Sequence, residues 1–264
     1  MKLSAIGTSL AALALCVLFA APAQARIVGK TIEYKYNDMT MKGYLAYDDA
    51  KKGARPGVLV VHEWWGLNDY IKERTRQVAA LGYVAFAPDM YGEGKVTNDP
   101  KQAGAWAGEV VESGERAARA KAGLAVLLRQ ANVKKDDIGA MGFCFGGGTV
   151  LALAYSGEKL RGVATFHGSL FAPSDEERTR IHAPILIMQG EKDPFVKPET
   201  IQQVKDALDA AHADWYMVTY ADAVHAFTNP KADDYHVPGI GYNEKAAKRS
   251  WAEMEHFFHV QLQR

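Results

Sequence analysis

Six short apolar runs, "GVLVVH", "YVAFAPD", "DIGAMGF", "GVATFHG", "PILIMQG" and "WYMVTYAD", follow one another between Gly57 and Asp222, with longer segments of helical pattern between several of them. Strands buried on both faces read as continuous apolar runs, and strands alternating with helices form a parallel sheet covered by helices. The pattern therefore predicts an α/β fold with a mostly parallel central sheet and helices on both faces. Ahead of it, "KTIEYKYNDMTMKGYLAYDD" alternates apolar and polar residues on both sides of Asn37-Asp38. That suits an antiparallel hairpin at the sheet edge and brings the total to about eight strands.

The helices announce themselves separately. Asn68 is placed to cap a helix that runs through Ile71, Val78 and Leu81 and stops at Gly82. A stripe of Ala117, Ala120, Leu124, Leu127, Leu128 and Ala131 predicts a helix over about 112–131, and Ala247, Trp251, Met254 and Phe258 predict a last one from about Asn243.

At the start, Lys2, an apolar run from Leu10 to Phe19 and "APAQA" read as a secretory signal peptide cleaved after Ala25. The expected protein is exported, to a periplasm or beyond, as one domain over 26–264. Cleavage discards Cys16 and removes Lys2 from a chain with 31 Lys and Arg against 31 Asp and Glu, leaving it near neutral. No basic surplus points to nucleic acid and no second long apolar segment points to a membrane span, so a small-molecule partner is expected. Oligomeric state is not legible.

One thiol then remains, Cys144, in "GFCFGGG". An unpaired thiol in an oxidising compartment needs burial or a use. Gly142-Phe143-Cys144-Phe145-Gly146 matches Gly-x-nucleophile-x-Gly, a sharp strand-to-helix turn that exposes the middle side chain. A helix N-terminus there favours the thiolate.

Such a nucleophile needs a base and an orienting acid, in the order nucleophile, acid, histidine. Asp193 in "GEKDPFV" and His225 in "ADAVHAF" each follow a strand run and arrive in that order, with Glu191 a competitor for the acid. His167 in "TFHGS" also ends a strand and is expected to line or support the site, but it comes too early to be the base. In "VVHEWWGLND" the backbone N–H of Trp64 is positioned to pair with that of Phe145 as oxyanion donors. His62-Glu63 is no zinc motif, because Gly66 stands where H-E-x-x-H needs histidine.

Taken together, "HEWWGLN", "APDMYG", "GFCFGGG", "GEKDPFV" and "VHAF" resemble the dienelactone hydrolase family over roughly Lys30 to Phe258. The resemblance implies an α/β-hydrolase fold with a Cys-Asp-His triad, here Cys144, Asp193 and His225. It also implies that Glu63 holds the resting thiol, swinging away when substrate binds. Two arginines that grip a carboxylate in relatives that hydrolyse dienelactone correspond to Glu93 and Asn229, which argues against dienelactone itself. The neighbouring aromatics Trp65, Tyr91, Phe195 and Phe227, with Trp64 and Phe145, suggest an apolar pocket for a neutral or aromatic ester.

The reading is a cysteine hydrolase of an ester or lactone, a chemistry that requires no metal or organic cofactor. The alternative is a non-catalytic binding or scaffold protein on the same fold.

Overall fold

Each of the six apolar runs forms a strand. The structure, a computed structural model, describes residues 26–262; the expected signal segment, its cleavage site and Cys16 lie outside the described residues. The strands are β1 (Ile27–Tyr36), β2 (Met39–Asp48), β3 (Arg55–Val61), β4 (Val84–Ala87), β5 (Val133–Phe143), β6 (Gly162–Phe166), β7 (Ile185–Gly190) and β8 (Trp215–Tyr220). They join one sheet in the order β1-β2-β4-β3-β5-β6-β7-β8. β1 and β2 are antiparallel to each other and β2 is antiparallel to β4, while every other pairing is parallel.

The helices are α1 (Asp69–Ala80), α2 (Pro100–Glu112), α3 (Arg116–Leu128), α4 (Phe145–Tyr155), α5 (Asp175–Arg178), α6 (Pro198–Ala210) and α7 (Glu244–Leu262). The continuous apolar runs now have a reason. Alternate residues feed two cores: Leu59, Val61, Ile185 and Ile187 pack with Leu124 of α3, Leu151 of α4 and Val204 of α6. Val58, Val60, Leu186 and Met188 pack with Ile71 of α1 and with Met254 and Phe258 of α7. A strand with no solvent face favours apolar residues on both sides.

Asn68 caps α1 as expected, accepting from the Ile71 N–H at 3.3 Å, and Asn243 caps α7 by accepting from Ala246. The helix expected over 112–131 is corrected to a shorter one. α2, not foreseen, occupies the chain up to Glu112, and Gly114 at φ 70° turns the backbone before α3 begins at Arg116. Ala131 falls beyond α3 and is exposed.

The chain leaves β3 for β4 on one side and returns to β5 on the other. Between two such strands the outgoing loops diverge and leave a crevice at the carboxyl ends. His62, Glu63 and Cys144 follow directly on those two strands.

Candidate active site

Cys144 sits alone between β5 and α4, with φ 54° and ψ −117°. A side chain at positive φ is strained, by about 1–3 kcal/mol, and persists only if its surroundings fix it. They do: its N–H donates to Phe166 at 3.1 Å, and its carbonyl accepts from Gly147 at 2.9 Å and Ser169 at 3.0 Å. The flanking glycines are a matter of space. A Cβ on residue 142 would lie 2.1 Å from the Gly146 carbonyl oxygen, and one on residue 146 would lie 2.3 Å from that of Val61. The turn can be this tight only where those side chains are absent.

Asp193 and His225 come together from the ends of β7 and β8. The His225 Nδ1 lies 2.8 Å from Asp193 Oδ2. The carboxylate is held in turn by Gln189 Nε2 at 2.6 Å and by the Phe195 N–H at 2.9 Å. Glu191, the competing acid, is exposed and takes no part in this contact. Burial pushes the His225 pKa down, but the Cys144 thiolate and the Asp193 hydrogen bond outweigh it and raise it to about 10. The imidazolium is thus stabilised between two anions. Cys144 itself is 8% exposed, which fits a group reached through a crevice.

His167 supports rather than competes. Its ring meets that of His225 edge-on at 5.2 Å, and its Nε2 lies 2.7 Å from Thr228 Oγ1. Burial and the charge of His225 push its pKa well below the usual imidazole value, so it stays neutral. Behind it, Thr228 Oγ1 contacts the Tyr70 hydroxyl at 2.8 Å, and Arg74 donates to the Thr228 carbonyl at 2.7 Å.

Glu63 is placed beside this group but differently from expectation. Its Oε2 accepts from Asn229 Nδ2 at 2.8 Å, its Oε1 has no partner, and no hydrogen bond joins it to Cys144 among the described residues. Burial raises its pKa to about 7 against the weaker effects of Asn229, His225 and Arg74. The amide of Asn229 supplies the donor a buried carboxyl needs, so the acid turns to it and not to the thiol. Glu93, by contrast, is exposed in the loop after β4, 3.9 Å from Lys42 of β2.

Of the two expected oxyanion donors, Phe145 follows the nucleophile at the start of α4 and Trp64 lies in the loop after β3. Among the described residues the N–H groups of Trp64 and Phe145 donate to no protein acceptor, whereas those of Gly66 and Asn68 in the same loop do. That loop is braced by groups the sequence did not mark. Met90 N–H donates to His62 Nε2 at 3.2 Å, so the proton is on Nδ1, which donates to the Glu63 carbonyl at 2.5 Å. Burial lowers the His62 pKa and keeps it neutral. Asp89 accepts four backbone N–H groups, from Lys42, Tyr91, Gly92 and Gly94. This accounts for the aspartate of "APDMYG".

Of the expected pocket aromatics, two are corrected to the interior. Trp65 is 1% exposed and stacks on Tyr235 at 4.0 Å, and Phe227 is fully buried between His167 and Tyr220. Tyr91 is close enough for the Cys144 charge to raise its pKa, after burial has done so, and its hydroxyl donates to the Trp64 carbonyl at 2.9 Å. Phe195 is 54% exposed and meets the His225 ring edge-on at 5.2 Å.

Residues 41–262 match the model of the dienelactone hydrolase family. The chain belongs to that family. Among relatives of this dienelactone hydrolase family member, a protein of Aquifex aeolicus strain VF5 named "Putative carboxymethylenebutenolidase" is 31% identical over 245 residues, 89% of this chain and all of that one. "Protein usf" of Aquifex pyrophilus is 31% identical, over 80% of this chain and 92% of its own. Among solved structures, a dienelactone hydrolase-like promiscuous phosphotriesterase from metagenomic libraries superposes with a TM-score of 0.87 at 35% identity, covering 89% of this chain and 98% of that chain. The family member described here therefore has an α/β-hydrolase sheet from one edge to the other.

No group of three or more His, Cys, Asp or Glu side chains among the described residues is arranged to hold a metal ion, and no described helix is long and apolar enough to cross a membrane. His62, Asp89, Gln189, Thr228 and Arg116 were missed by sequence reading. Only His62 and Asp89 carried a signal, each standing just after a strand run.

Proposed function

We propose that this chain hydrolyses a carboxylic ester or lactone through Cys144, Asp193 and His225. One observation carries the reading: His225 is fixed on Asp193 at 2.8 Å and is close enough to a cysteine held in a strained turn for that cysteine to raise its pKa. A structural thiol needs neither the strain nor the histidine.

The Cys144 sulfur attacks the carbonyl carbon, with its proton on His225, and the carbonyl oxygen becomes an oxyanion facing the free N–H groups of Trp64 and Phe145. Each such donor is worth about 2.7–4 kcal/mol of barrier lowering. His225 passes the proton to the departing alkoxide, and the C–O bond breaks to leave a thioester. Water, deprotonated by His225, then attacks the thioester; the carboxylic acid leaves and the thiol is restored. Asp193 keeps the ring in the tautomer that allows both transfers. Glu63, protonated below about pH 7, adds no second anion beside the thiol in that range.

Cys144→Ala is expected to abolish hydrolysis of a panel of aryl esters and small lactones. Unchanged rates would reject the assignment and favour a binding or scaffold role. Export belongs to the same reading, and a mature N-terminus at Arg26 in an exported fraction checks it.

A further inference from the structure

Arg116 is an arginine without a partner. Its half-buried side chain forms no ion pair or hydrogen bond among the described residues, and its buried Nε has no acceptor. The other inward-facing arginines each have a partner, Arg55, Arg74 and Arg119 donating to the backbone carbonyls of Asp48, Thr228 and Met90; the Arg55 Nε is also without an acceptor, but its Nη1 is not. A guanidinium cannot escape its charge by losing a proton, so an unpaired one in a partly dry setting lacks a counter-ion.

Its position is built. The guanidinium lies 5.7 Å from the ring centroid of Phe145 and 5.3 Å from that of Phe171, sandwiched between two aromatic faces. Gly148 makes room for it: a Cβ there would come 2.9 Å from Arg116 Nη1. The last glycine of "GFCFGGG" therefore leaves space both for this side chain and for the Ser169 carbonyl, 2.6 Å from the same point. Phe145 is the residue next to the nucleophile, Arg116 is close enough to feel the charge of Cys144, and Tyr91 feels that of Arg116.

Arg116 also lines a groove of about 490 Å³ with Ala117, Ala152, Ser169, Leu170 and Phe171, within the size range of small-ligand sites. The acid on that wall, Glu177, is tied to the start of α5 as a capping box with Ser174 and forms no ion pair with Arg116. The groove thus joins apolar wall to a free cation within electrostatic reach of the thiol.

We propose that Arg116 is the specificity residue of this site, binding a carboxylate carried by the ester substrate, so that the preferred substrates are half-esters of dicarboxylic acids or esters with an acidic leaving group. This rests on the hydrolase reading above. A bidentate guanidinium–carboxylate pair supplies the missing counter-ion and fixes the ester relative to Cys144.

The test compares matched esters. Mono(4-nitrophenyl) glutarate and 4-nitrophenyl valerate share leaving group and chain length but differ in a terminal carboxylate; 4-acetoxybenzoate and 4-methylphenyl acetate place the same difference on the leaving group. Wild-type protein is expected to prefer the anionic member of at least one pair. In Arg116→Gln the anionic-to-neutral ratio of kcat/KM for that pair falls about tenfold or more, and Arg116→Lys keeps part of it. A ratio that is the same in wild type and Arg116→Gln for both pairs overturns the proposal, even with Cys144-dependent turnover intact. Equal loss on both members does the same, since it means that Arg116 acts only on the thiol or the fold. Hydrolysis that persists in Cys144→Ala rejects the hydrolase reading itself and the proposal with it. Should Arg116→Gln not fold, inhibition of valerate ester hydrolysis in the wild type decides: glutarate is expected to compete at least tenfold better than valeramide, and equal inhibition overturns the proposal.

Discussion

The Glu63 carboxyl and the Asn229 amide meet at 2.8 Å inside the protein, and the second oxygen of that carboxyl has no partner among the described residues. An acid half-satisfied by a neutral donor, with its pKa raised to about 7, is one that holds its proton.

That proton has a stability consequence. Between the ordinary value of 4.5 and about 7, the folded chain keeps a proton on Glu63 that the unfolded chain releases, so stability falls as pH rises through this window. The full cost of ionising the group, on the order of 3 kcal/mol, is reached above pH 7. Glu63→Gln removes the charge at every pH. Urea unfolding at pH 5 and pH 8 is expected to show a smaller loss of stability in Glu63→Gln than in the wild type. His225 contributes in the same direction: its raised pKa gives stability that is full below 6.5 and lost as pH rises through about 10. The comparison between the two proteins cancels that contribution, and equal slopes would mean that Glu63 is ionised.

Asp193→Asn tests the orientation of His225. Gln189 donates to the oxygen that also meets His225, while the Phe195 N–H holds the other oxygen, so the loop keeps that anchor when the charge goes. An amide that donates to Nδ1 forces the wrong tautomer, and kcat is expected to fall by about 10³–10⁴ with the fold intact by circular dichroism.

An elbow glycine and a helix glycine predict opposite signs for one substitution. Gly142→Ala drives a methyl to 2.1 Å from the Gly146 carbonyl oxygen, which is backbone and cannot swing aside. Soluble yield and thermal midpoint are expected to collapse, with a cost of several kcal/mol. Gly104→Ala in α2 meets nothing nearer than 3.7 Å and stands in a helix interior. There the same change is expected to stabilise by about 0.5–1 kcal/mol in thermal or urea unfolding.

Thr228→Val tests the support behind the histidines. The hydroxyl serves His167 Nε2 and Tyr70 at once, and its loss leaves buried polar groups unpaired at about 1–3 kcal/mol. A lower thermal midpoint is expected, with a several-fold drop in kcat and little change in KM, because His225 packs edge-on against His167.

Most of the strands were legible because burial on both faces leaves a mark that needs no knowledge of neighbours: such a run is mostly apolar on both faces, polar exceptions such as Thr165 and Gln189 being few. Cys144, Asp193 and His225 were legible because a parallel sheet delivers the residues after its strands to one end. The break between α2 and α3 was not, since alanines and leucines suit one long helix as well as two, and Gly114 acts only through its positive φ. Nor could the sequence say that Trp65 and Phe227 pack inward while Phe195 stays exposed; an aromatic ring is equally at home in a core or a pocket, and its neighbours choose. The partners of Glu63 and Arg116 depended wholly on tertiary structure. Asn229 lies 166 positions from Glu63, and the rings that hold Arg116 come from two other segments. The chain by itself determined which residues reach the crevice; packing among distant segments decided which charges are paired there and which is left free.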